Sequence, residues 1–204
     1  MPVDRVAMAA ENNARWCDAV CRAHGCRCEF VTGAWLCHGT PPPYHSNLVT
    51  LGGPEMAAVH ADLIRARVED PGVGSFGFKD SFGCVDVPRA GGDRRFDVLF
   101  EASWIWLEAE VRLAGVPGWS RVDDAAGLRA FERAWRGDDA NSAASATAQF
   151  PESLLRDPGV AFLTGVGASG EVEGVAIVNR TGRVAGLSNV FGPAMADDAL
   201  WQGA

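Results

Sequence analysis

Lysine is almost missing from this sequence: Lys79 is the only one, the other basic residues are scattered Arg, and the net charge is −8. That shortage excludes a long phosphate backbone as the natural partner, because nucleic-acid binders concentrate Lys and Arg, although a small anionic ligand can still bind locally. No apolar run approaches the roughly twenty residues of a membrane helix. The opening Met1-Pro2-Val3-Asp4-Arg5 lacks the basic and apolar regions of a signal peptide, so a cytoplasmic protein with no membrane association is expected. No Ser-His-Asp order, nucleotide-binding fingerprint or H-E-x-x-H string occurs, which leaves hydrolase and metalloprotease readings weak.

Apolar residues, by contrast, are plentiful: 48% of the chain is hydrophobic and seven residues are Trp, so a buried core rather than disorder is expected. At 204 residues the chain suits one large domain or two small interlocked ones. Five of the six Cys fall early, at Cys17, Cys21, Cys26, Cys28 and Cys37, with His38 following the last. Thiolates and imidazole are the usual zinc ligands. Against zinc, Cys17 and Cys21 stand at i, i+4 in a helical stretch, and Cys26 and Cys28 read as sharing one face of a strand. Buried, reduced cysteine with no metal is therefore the expectation, and disulfides are disfavoured in a reducing compartment.

Periodicity organises the rest into an α/β pattern. A first helix runs from Asn13 to His24, with Gly25 at its end; strands Cys26–Val31 and Ala34–Cys37 form a hairpin around Thr32-Gly33. The spacer Pro41-Pro42-Pro43 leads to a strand over Ser46–Leu51, and Gly53-Pro54-Glu55 opens a helix to about Glu69. Gly74–Val87 and Phe96–Leu107 read as strands joined by a turn at Pro88–Arg95. Beyond the Pro117-Gly118 turn come a helix at Ala125–Trp135, a small-residue linker at Asp138–Thr147, a short helix at Pro151–Arg156, strands Val160–Val166, Val172–Asn179 and Val184–Phe191, and a final helix opened by Gly192-Pro193.

The two halves, residues 1–116 and 117–204, match in order and locally in residues. Ser46-Asn47-Leu48-Val49 precedes Gly53-Pro54-Glu55-Met56-Ala57, and Ser188-Asn189-Val190 precedes Gly192-Pro193-Ala194-Met195-Ala196. Short identities at the same strand-to-helix junction suggest an internal repeat whose second copy is incomplete. The two halves are expected to pack as one unit, and a homodimer through the incomplete C-terminal sheet edge is expected to supply the missing strand.

The strings Asn12–Gly25 (NNARWCDAVCRAHG), Lys79–Phe82 (KDSF), Phe96–Ile105 (FDVLFEASWI) and Val184–Gly192 (VAGLSNVFG) resemble a group of actinobacterial GNAT-like proteins without a settled reaction. The resemblance covers most of the chain. It implies a GNAT-like, mostly antiparallel mixed sheet flanked by helices, and an N-acyltransferase acting on a small amine with acetyl-CoA or another acyl donor. It places the donor site at Ser188, Asn189, Val190, Gly192 and Ala194, where GNAT enzymes carry a Q/R-x-x-G-x-G/A loop that holds pyrophosphate on backbone N–H groups. The loop here differs: Pro193 removes a donor, no Arg or Gln opens it, and Asp197 and Asp198 would repel pyrophosphate. That departure opens the alternative, a repurposed ligand-binding or assembly protein on the same scaffold.

Acyl transfer needs a base for the amine and a donor to the leaving thiolate. Glu101 is the leading base, being the one carboxylate in the apolar run Val98–Trp104; by strand alternation it either faces a pocket or simply faces solvent. Tyr44, the only tyrosine, reads as a general acid or as packing over its loop, and His45 as an assisting base or a hydrogen-bonding surface residue. Asp80, interrupting an aromatic strand, is a further candidate.

Overall fold

The computed structural model describes residues 4–70, 74–108, 118–137, 148–167 and 169–192. These divide into two compact units, 1–106 and 107–204, a boundary ten residues before the one the turn signals suggest. The fold is mixed α/β, and antiparallel pairing dominates both sheets. No described helix is long and apolar enough to cross a membrane.

In the first unit, helix α1 spans Arg5–Ala23. It starts eight residues before the apolar periodicity does, because the Asp4 carboxylate accepts from the Ala7 amide and satisfies a donor of the first turn. Its end is a double cap. Gly25, at φ 80°, donates to Arg22 O, and Cys26 donates to Cys21 O, so Cys26 is tied back onto the last turn of the helix. Strands β1 (Cys28–Val31) and β2 (Ala34–Cys37) form the expected hairpin, with Cys28 opposite Cys37. Strand β3 (Leu48–Thr50) pairs antiparallel to β2, and after a 3-10 turn at Pro54–Met56 and helix α2 (Ala57–Val68) the chain returns to β4 (Phe78–Lys79), parallel to β3.

Alternation along β2 sends successive side chains to opposite faces. Trp35 and Cys37, with Val49 and Cys28, pack against Ala14, Cys17 and Cys21 of α1. Ala34, Leu36 and Leu48 pack against Ala61 and Ile64 of α2 and Ala90 of α3 (Val87–Gly91). All four residues of β2 are buried, as a central strand covered on both faces requires.

Two expected strands are corrected. Of Gly74–Val87 only Phe78 and Lys79 are β, because the Asp80 carboxylate accepts from the Phe82 and Val85 amides at 3.3 and 2.8 Å and bends the chain into a turn, with Gly83 at φ 63°. Phe96–Leu107 forms no strand, and Val98, Leu99, Phe100 and Ile105 are exposed, so its β-prone composition finds no partner edge among the described residues. The Pro88–Arg95 turn is in part α3, capped by Asp86.

Among the described residues, the first element of the second unit is a strand the sequence pattern did not signal, β5 (Trp119–Arg121), followed by α4 (Ala125–Arg136), whose N-cap Asp124 accepts from the Gly127 amide at 2.7 Å. Three antiparallel strands follow: β6 (Val160–Val166), β7 (Val172–Thr181) and β8 (Val184–Phe191), in sheet order β5-β6-β7-β8. The aromatic rings of Phe131, Phe150 and Phe162 meet edge-on or tilted at 5.2–5.8 Å, forming this unit's own core. The linker Asp138–Thr147 and the helix expected after Gly192 lie outside the described residues.

Candidate thiol centre and the expected catalytic positions

The densest chemistry in the first unit lies between α1 and the sheet. Cys21 occupies the last full turn of α1, Cys28 opens β1 and Cys37 closes β2, and their Sγ atoms all lie within 4.8 Å of one another. The Cys37 amide donates to Asn47 O rather than to β1, so Cys28 and Cys37 form the close-approach type of antiparallel pair. Cys26 precedes β1 instead of lying in it, and its thiol reaches Thr40 O at 3.4 Å over Gly39.

Cys37 is the electrostatic centre of this group. Its thiol is pulled down, to about 5, chiefly by the hydrogen bond from Cys21, with Cys28 and Cys26 also in bonding reach. Cys21 is pushed upward by that same bond and by burial, and Cys28 is pushed up to about 12 by burial and then by Cys37. All six cysteines are free thiols. His38 is not part of the group: its Nε2 lies 2.6 Å from Glu29 Oε1 and its Nδ1 faces Arg67.

The expected catalytic residues lie in unlike settings. Tyr44 is 77% exposed in the left-handed backbone region. His45 is half-buried near Trp16, its Nδ1 3.1 Å from Pro43 O, and its pKa is lowered to about 4, first by burial and then by the Lys79 charge against the help of that carbonyl. Asp80 spends both carboxylate oxygens on its own turn. Glu101 is exposed in the irregular segment. Lys79, the single lysine, donates to Asn13 Oδ1 at 3.4 Å and to Cys17 Sγ at 3.6 Å.

The two Ser-Asn pairs serve different ends. Asn47 is buried, its amide nitrogen donating to Gly39 O and its Oδ1 accepting from the Gly77 amide, so it clamps the loop after β2 to the start of β4. Asn189 has φ 53° and lies with Val190 in a bulge, both residues opposing Ala176 alone, and it donates to Ser188 Oγ at 3.1 Å. Gly192 ends the described part of this strand, and Ala194 lies outside it.

At the first strand–helix junction, Gly53 donates its amide to the Glu55 carboxylate at 3.0 Å, and a Cβ at Gly52 would meet Met56 Cγ at 2.6 Å. An acidic side chain thus already occupies the amide a phosphate would need. No protein family, curated protein or solved structure matches the chain.

Proposed function

We propose that the chain is a GNAT-like protein whose scaffold serves as a ligand-binding or assembly module. The carrying observation is the departure of the expected donor loop, which opens with no Arg or Gln and loses a donor at Pro193; at the matching junction after β3 the Glu55 carboxylate takes the Gly53 amide, so that copy would meet a diphosphate with negative charge as well. The settings of the expected residues support the same reading: Tyr44 and Glu101 are exposed, His45 Nδ1 lies against Pro43 O and Asp80 is committed to its own turn, whereas proton transfer needs a group free to reach the substrate.

One observation favours the second reading, an N-acyltransferase using acetyl-CoA on a small amine. The bulge at Asn189–Val190 interrupts the β8 ladder close to the expected donor loop, and bulges re-aim backbone groups beside active sites. Isothermal titration of the full chain with acetyl-CoA separates the two. Absence of heat at millimolar ligand is the expected result and overturns the acyltransferase; saturable binding that Asn189→Pro abolishes, together with transfer of the acetyl group to an added small amine, establishes the acyltransferase instead.

A further inference from the structure

We propose that Cys21, Cys26, Cys28 and Cys37 form a four-thiolate tetrahedral site for a zinc-class divalent cation that ties α1 to the β1–β2 hairpin. The inference is independent of the acyl-transfer question, since it uses none of the residues expected to hold an acyl donor.

Geometry carries it. A tetrahedral zinc with Zn–S bonds of about 2.3 Å needs sulfurs roughly 3.8 Å apart. Three sulfurs already lie within 4.8 Å of one another, so small χ1 rotations close the remaining gap. The fourth is delivered by the helix cap: the Cys26 amide bonds Cys21 O at 2.9 Å, which fixes the path from the last turn of α1 to Cys26, and the Cys26 thiol lies over the same Gly39 loop that follows Cys37. Cys28 brings its sulfur to the same face of the sheet as Cys37 because the two stand directly opposite in register.

The surroundings suit a site carrying net negative charge. Four thiolates and one dication sum to −2, and two guanidinium groups stand at the ligand backbones. Arg22 donates to Cys28 O, and Arg67 donates to Cys37 O at 3.3 Å. Such outer partners orient metal ligands. Cys26 is only half-buried, which gives an ion its entry, whereas Cys21, Cys28 and Cys37 are closed off from solvent. Cys17 faces the same core but accepts from Lys79 Nζ at 3.6 Å and stands outside the group. Apolar packing does not explain three sulfurs converging from a helix end and two strands with the half-buried Cys26 packed against them. Loading displaces the remaining thiol protons to solvent and changes no oxidation state.

The test uses the full chain purified from zinc-supplemented medium, followed by elemental analysis and titration of the metal-free protein with Co²⁺. About one zinc per chain and intense sulfur-to-cobalt charge-transfer absorption with tetrahedral d–d bands are expected. Cys37→Ser and Cys21→Ser should lose the metal. Because those buried variants can fail to fold, Cys26→Ser is the decisive one: it should fold and bind Zn²⁺ at least tenfold more weakly in chelator competition, while Cys17→Ser and Cys84→Ser keep full affinity. Metal content near zero with no cobalt bands overturns the proposal, as does unchanged affinity in Cys26→Ser or equal loss in Cys17→Ser.

Discussion

Trp35 Nε1 donates to Asp18 Oδ1 at 2.8 Å across seventeen residues of sequence, and the indole has no exposed surface. Asp18→Ala strands that N–H in the core and should cost about 1–3 kcal/mol, readable by urea unfolding, whereas Asp18→Asn keeps the acceptor and should cost less than half as much. His45 gives a pH signature. Its folded pKa of about 4 lies below the ordinary 6.5, so the unfolded chain takes up this proton first as pH falls. The stability gained from keeping the ring neutral is whole above pH 6.5 and drains away between 6.5 and 4. Thermal melting at pH 7 and pH 4.5 should therefore show a smaller acid loss in His45→Gln than in the parent; equal losses refute the assignment. The left-handed Asn189 should tolerate Gly without penalty, while Asn189→Val should cost about 1–2 kcal/mol because a β-branched residue resists that region.

At the scale of elements, the hairpin β1–β2, helix α4 and strands β6–β8 were legible from period and punctuation, since each buries a regular face. What was not legible depended on partners distant in sequence. Phe96–Leu107 has strand composition, yet no neighbouring edge among the described residues accepts it, and Gly74–Val87 is cut by a carboxylate whose preference for its own turn outweighs aromatic β propensity. The thiol group was hidden for a similar reason. Its spacing looks irregular along the chain, but the helix cap and the register of two strands make it local in space. The contrast is measurable. Ile64→Ala, in the fully buried α2 face, should lose about 2–5 kcal/mol. Leu99→Ser, at an 87% exposed position, should change stability by less than about 0.5 kcal/mol.

For the whole molecule, charge is the readable property. A net charge of −8 and a sequence pI near 5.0 predict that the chain is not retained on heparin or DNA matrices at pH 7. Its solubility should pass through a minimum near pH 5, checked by light scattering across pH 4–8; retention at neutral pH or a minimum elsewhere contradicts the reading. Each unit carries its own core, thiol-rich and aliphatic in residues 1–106 and aromatic in residues 107–204.

Strand β4 is only two residues long, and the ladder is prolonged beyond it by Asn47, whose backbone amide bonds Gly77 O at 2.9 Å while its side chain receives the Gly77 amide. The lifetime of one backbone proton is therefore held by a side chain. In deuterated solvent the Gly77 amide should outlast those of the exposed turn around Gly83, and in Asn47→Ala it should exchange as fast as they do, so that a single isotope-exchange rate reports when this end of the sheet opens.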